Sequence, residues 1–207
     1  MKQQRLLGTL ALLLATMGWG LGAEGQHPTA VQPMQLSAFG GVSGVYTGLG
    51  GGKNFSVMAG ADLALPPFHW VRPTIEVRGT YPTDRGLVDN QRSALAGLRV
   101  DFLLGHRWHP YGDVLFGRGE MKYTPYGYPY TYPDGTQHLY VQTTTNVYSA
   151  GGGFDYDLGD RWGIKVDAQL QRWGETNEQP PLVPTPSELI YSKVGTVGIV
   201  YRFGFNH

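Results

Sequence analysis

The chain has 207 residues, with 16 Lys plus Arg set against 16 Asp plus Glu, so its formal net charge is zero. No basic surplus points to a nucleic-acid partner. The absence of cysteine excludes disulfides, thiolate chemistry and cysteine metal sites.

Glycine supplies 31 residues, about twice its average usage. Aromatics make up 13%, led by tyrosine. With no stretch of helical period, that bias favours an all-β chain. The N-terminal segment "MKQQRLLGTLALLLATMGWGLGAEG" starts basic at Lys2 and Arg5, turns apolar from Leu6 to Met17 and then carries small residues. That is the layout of a secretory signal peptide, and the apolar run is short for a helical membrane span. Residues 1–23 are read as the signal peptide, residues 24–34 as a short N-terminal segment and residues 35–207 as one domain. No second long apolar run follows, so the domain has no helical span. Removal of Lys2 and Arg5 leaves it slightly acidic.

Eight runs of period two, bounded by turn residues, read as strands. They cover 35–47, 54–65, 70–81, 93–104, 110–123, 146–158, 161–173 and the terminal "KVGTVGIVYRFGFNH". In the second, Phe55, Val57, Ala59, Ala61 and Leu63 share one face. In the third, Val71, Ile75, Val77 and Tyr81 oppose Arg72, Glu76 and Arg78. In the fourth, Ala94, Ala96, Leu98, Val100 and Phe102 oppose Arg99 and Asp101. In the seventh, Trp162, Ile164, Val166, Ala168 and Leu170 oppose Lys165, Asp167 and Gln169. The last alternates Val197, Ile199, Tyr201, Phe203 and Phe205 with Thr196, Gly198, Val200, Arg202 and Gly204.

Short connections follow strands two, four and six, and long ones follow strands one, three, five and seven. All long loops therefore lie at one end, as in an up-and-down antiparallel barrel. Outer-membrane barrels place their short turns in the periplasm and their long loops outside; residues 24–34 then lie on the periplasmic side. The aromatics sort the same way. Phe68, Trp70, Trp108, Tyr111, Phe154, Tyr156, Trp162, Phe203 and Phe205 fall near the short-turn end. Tyr46, Tyr81, Tyr123, Tyr148, Trp173 and Tyr191 fall near the long-loop end. Two belts separated by about ten strand residues match the two interfaces of a bilayer. A soluble lipocalin-like barrel or sandwich is the alternative, but it would place its aromatics mid-strand on a buried face. The expected fold is an eight-stranded antiparallel transmembrane β-barrel in the bacterial outer membrane. Pro73 and the pair Arg118 and Glu120 strain this pattern. A bulge at the short-turn rim would absorb Pro73. For Arg118 and Glu120, either a bulge at Gly117 or Gly119 flips the register, or the strand has already left the membrane.

The stretch "GIVYRF", with Gly198, Tyr201 and Phe203, resembles the C-terminal β-signal that the barrel-assembly machinery reads. With the signal peptide and the strand count, the mature chain resembles the OmpA-type transmembrane barrels, a family that includes opacity-like adhesins. The resemblance implies outer-membrane lipids and the assembly machinery as partners. A structural or surface-interaction role follows from it.

Parity places Asp62, Arg72, Glu76, Arg78, Arg99, Asp101, Asp113, Asp155, Lys165, Asp167 and Arg202 inside the barrel. An eight-stranded barrel has an interior just wide enough for side chains to fill. Interleaved charges of both signs there most simply neutralise each other and close it. The alternative is a narrow gated pore for ions or small solutes, in which an Arg–carboxylate pair changes partners. The outer segment 123–140 interleaves Tyr126, Tyr128, Tyr130 and Tyr132 with Pro125, Pro129 and Pro133. Proline stiffens such a loop, and tyrosine offers contact area at low entropic cost. It reads as a contact surface for an extracellular ligand of unknown identity, or as a stiff loop that packs on the barrel mouth and seals it. His106 and His109 form an H-x-x-H, which needs a helix to gather a metal. His138 has no serine at close spacing. The expectation is therefore no enzyme, no cofactor and no metal.

Overall fold

The computed structural model describes residues 34–48, 52–84, 89–104, 107–123, 127–174 and 190–203. The signal peptide, most of the segment before strand one, Tyr126 and Phe205 lie outside the described residues. The strands are β1 (Gln35–Tyr46), β2 (Lys53–Ala64), β3 (Val71–Pro82), β4 (Asp89–Phe102), β5 (Trp108–Tyr123), β6 (Tyr128–Thr131), β7 (Gln137–Tyr140), β8 (Gln142–Asp157), β9 (Trp162–Trp173) and β10 (Ile190–Arg202). Eight of them close a barrel in the order β1-β10-β9-β8-β5-β4-β3-β2, every pair antiparallel. The sequence expected eight strands; the remaining two, β6 and β7, form a hairpin in what it took for a loop.

Closure is made by β1 against β10, from Ser37 opposite Arg202 to Tyr46 opposite Lys193. Here Gly41 lies opposite Gly198. A Cβ on Gly198 would lie 2.5 Å from the Gly40 carbonyl oxygen, and one on Gly41 2.3 Å from that of Val197. The seam therefore needs glycine at both positions for space, whatever else reads Gly198.

The β2–β3, β4–β5 and β8–β9 connections are short and share one end. In the first, Phe68 and Val71 exchange two backbone hydrogen bonds of 2.8 and 3.1 Å. His69 takes φ 55° inside this two-residue turn, a conformation that hairpins of this kind demand.

Alternation holds on every barrel strand. Val42, Val57, Ile75, Val77, Leu98, Val114, Phe116, Leu170, Val197 and Ile199 face outward and are exposed. Their in-between neighbours face inward and are buried. Both strained positions are accommodated without a bulge. Pro73 lies opposite Val100 in a continuous β3–β4 register, just past the last β2–β3 pair at Thr74 and Ala64. Its carbonyl accepts from Leu65 N at 2.9 Å, so the N–H that proline lacks falls at the last rung beside β2, where the β2–β3 connection begins. Strand β5 keeps register with β8 from Trp108 to Lys122. Arg118 and Lys122 thus stay on the outer face, Arg118 two positions above Phe116.

Candidate functional site: the filled interior

Two arginines organise the mid-barrel charges. Arg78 on β3 donates from Nε to Glu76 at 2.5 Å. Its Nη1 reaches across the barrel to Asp167 on β9 at 3.0 Å, and its Nη2 reaches Asp113 on β5 at 3.2 Å. Arg99 on β4 donates from Nε to Asp101 at 2.6 Å, from Nη2 to Asp155 on β8 at 2.5 Å and from Nη1 to Asp62 on β2 at 3.2 Å. Lys165 on β9 joins the two groups, 3.6 Å from Glu76 and 3.8 Å from Asp62. Its ammonium also lies over the rings of Phe39 (4.3 Å) and Tyr111 (4.5 Å), and the Arg99 guanidinium stacks 3.6 Å above Tyr111.

All nine of these charged side chains are buried: Arg78, Arg99 and Lys165 against Asp62, Glu76, Asp101, Asp113, Asp155 and Asp167. The buried set is therefore rich in carboxylate, not balanced. Neutral donors meet part of the excess, at Asp101, Asp113 and Asp167. Tyr111 donates to Asp167 at 2.9 Å, Thr74 to Asp101 at 2.6 Å, and Gln169 Nε2 to Asp113 at 2.8 Å while its Oε1 accepts from Ser149 at 2.8 Å. Burying charge is tolerable where hydrogen bonds complete the pairing.

The other two predicted members, Arg72 and Arg202, are only partly buried. They line a vestibule of about 420 Å³ at the short-turn end, with Arg107, His109 and Asp157. There Asp157 takes Arg202 Nη2 at 2.6 Å and His109 Nε2 at 2.9 Å.

Toward the long-loop end the filling changes character. Leu95, Leu115, Met121, Tyr123, Val147, Trp173 and Ile190 form a buried apolar cluster inside the barrel. This corrects both aromatic belts: Tyr123 and Trp173 turn inward, each 1% exposed, and so does Tyr111 from the short-turn belt, 4% exposed. The indole of Trp173 lies on Gly119, where a Cβ would be 2.4 Å from its Cζ3. That is the role of Gly119, rather than a bulge. Bare positions serve other large interior groups too: a Cβ on Gly60 would collide with the Phe39 ring, and one on Gly151 would lie 2.5 Å from Gln169 Cδ. Beside the apolar cluster, Ser192 Oγ lies 2.8 Å from the Thr47 carbonyl and 2.9 Å from Gln91 Oε1, tying β10 to the end of β1 and to β4.

Outside the barrel, aromatics pair at the short-turn end: Trp70 with Phe102, Trp108 with Phe154 and Tyr156, Trp162 with Tyr201, and Tyr201 with Phe203. Tyr201 and Phe203 of the proposed signal thus belong to the rim, while Gly198 belongs to the seam. Tyr46, Tyr81, Tyr148 and Tyr191 are exposed on the outer face at the other end. The β6–β7 hairpin carries Tyr128 and Tyr130, with Tyr132 at its tip. The tip is closed by Tyr132 N donating to Thr136 O at 2.8 Å. The Thr136 backbone N–H also donates to the Asp134 carboxylate, holding it below the usual carboxylate range. Among the described residues no group of His, Asp and Glu is arranged to hold a metal ion.

Neither a protein-family model nor a curated protein sequence matches the chain. Solved structures do. Neisserial surface protein A aligns over 82% of this chain and 97% of its own, with 13% identity and a TM-score of 0.51. The attachment invasion locus protein Ail of Yersinia pestis aligns over 82% and 97%, at 11% identity and TM-score 0.45. OprG, an outer membrane protein of Pseudomonas aeruginosa, aligns over 82% and 96%, at 12% and 0.42. The first likeness shows the fold: the chain has the same closed eight-stranded β-barrel architecture.

Proposed function

We propose that this chain is an integral protein of the bacterial outer membrane, related to the OmpA-type and opacity-like barrels. Its role is structural or surface-interacting, and its interior is held shut by side chains. The observation that carries this reading is the inverted polarity of the barrel: large apolar residues outside, Arg78, Arg99, Lys165 and six carboxylates inside. A protein in water would leave such an apolar surface uncovered; in lipid the same surface is solvated and a closed sheet leaves no backbone edge. The signal peptide and the β-signal Gly198, Tyr201 and Phe203 fit export and recognition by the assembly machinery. The tyrosine-rich segment 123–140, in which the sequence places Tyr126, Tyr128, Tyr130 and Tyr132, is the candidate contact surface for an extracellular ligand.

A narrow pore is the second reading, favoured by the charged vestibule. Fractionation and planar-bilayer recording test both. The proposal expects the protein in the outer-membrane fraction, faster gel migration when unheated, and a silent bilayer. A soluble periplasmic protein would overturn it, and discrete conductance steps would replace the closed interior with the pore.

A further inference from the structure

The outer face of the barrel is not the same at its two ends. Among the described residues, no outward strand position at the short-turn end carries Lys or Arg, whereas the long-loop end presents Lys53, Arg92, Arg118, Lys122, Arg172 and Lys193. The one carboxylate on outward strand positions there, Glu120, is bound to Arg92 at 2.6 Å and lies 3.6 Å from Lys122. Lys53 and Lys193 have no carboxylate partner among the described residues. They flank Tyr46 directly, since Tyr46 is opposite Lys193 on one side and Lys53 on the other. Strand spacing puts their backbones about 10 Å apart, within reach of one shared anion between two flexible side chains.

Past Phe55, which lies opposite Gly44 on β2, the row beneath is bare. Gly44 lies opposite Gly195, and Gly195 opposite Ala168. A Cβ on Gly44 or Gly195 would meet nothing within 4 Å. These residues floor a trough of about 680 Å³ on the outer face, walled by Leu170 and headed by Lys53 and Lys193. Among the described barrel-strand glycines, only Gly44 and Gly195 have nothing within 4 Å of such a Cβ, so the trough is open space and not room taken by a neighbouring side chain.

The geometry points to a binding site for a phosphorylated lipid of the surrounding leaflet: its phosphate between Lys53 and Lys193, its acyl chain in the Gly44–Gly195 trough. This rests on the membrane reading above. An apolar chain suits the trough, and an anionic headgroup suits the paired ammonium groups above it. Tyr46, between them, supplies the amphipathic ring that belongs at the headgroup level.

The test uses the mature chain refolded into phosphatidylcholine vesicles containing a minor fraction of a diphosphorylated glucosamine glycolipid, or of its dephosphorylated form. Retained lipid is read by native mass spectrometry. The phosphorylated lipid should be retained and the dephosphorylated one should not. Each lysine near a charged lipid surface is worth about fivefold, so Lys53→Gln with Lys193→Gln should lose on the order of thirtyfold in retention. Gly195→Leu, which keeps both lysines and fits the open space, should also release the lipid. Equal retention of the two lipids, or undiminished retention in either variant, would overturn the site. A second copy in the trough would instead give dimer masses indifferent to lipid phosphate, which also overturns it. Heat-modifiable migration, recorded in parallel, separates the two levels. Insertion without selective retention defeats this inference alone, and failure to insert defeats the membrane reading with it.

Discussion

The two halves of the interior are filled by opposite chemistries on the same alternation of side chains. Toward the short turns, Arg78, Arg99 and Lys165 are locked among carboxylates and neutral donors. Toward the long loops, Trp173, Tyr123, Met121 and Leu115 pack as an ordinary hydrophobic core would. The first half is held by directional bonds that tolerate no missing partner. The second is held by volume. A barrel this narrow needs only that its interior be filled, and either chemistry does so.

That contrast can be broken most severely from the charged side. Arg78→Ala leaves Glu76, Asp113 and Asp167 without their shared cation, and removing one partner of a buried ion pair typically costs about 3–5 kcal/mol. Trp173→Ala should cost about the same through the cavity it opens. Urea unfolding in vesicles checks both, and the two losses should add, because the clusters share no side chain. In planar bilayers each single variant should stay silent, since the other half still fills the barrel; the double variant should conduct. A smaller effect sharpens the volume side. Gly119→Ala puts a methyl into the Trp173 indole and should cost about 1–3 kcal/mol by overpacking. Smallest is Arg202→Ala. Its partner Asp157 keeps His109 and is partly exposed, so the expected loss is about 1 kcal/mol or less. A loss as large as that of Arg78→Ala would place Arg202 in the central network after all.

The sequence made the charged half legible and left the apolar half hidden. Parity alone put Asp62, Glu76, Arg78, Arg99, Asp101, Asp113, Asp155, Lys165 and Asp167 on one face, because a charge on the lipid side is costly and a period of two leaves one alternative. The partners could not be read, since Arg78 on β3 bonds Asp167 on β9 across the barrel. Trp173 and Tyr123 were misplaced for the same physical reason: an aromatic near a strand end suits either a membrane interface or a packed interior. Composition does not choose between these. Register would have chosen, because Trp173 has the parity of Lys165, Asp167 and Gln169. Arg118 left two readings open, a change of face or a strand already clear of the membrane, and the straight run above Phe116 removes the first. The hairpin β6–β7 was hidden by its prolines, although "YPDGTQ" holds the Asp-Gly turn signal.

Whether lipid solvates the apolar outer face is decided by Val114→Arg. Val114 is 64% exposed in the middle of β5, two positions below Phe116 and away from the interior network. The folding free energy of this variant is measured in bilayers against the parent chain. The expected loss is about 2–4 kcal/mol, the cost of an arginine at the mid-plane of a lipid-facing strand. An exposed valine in water accepts the same substitution within about 0.5 kcal/mol, and that result would contradict solvation by lipid.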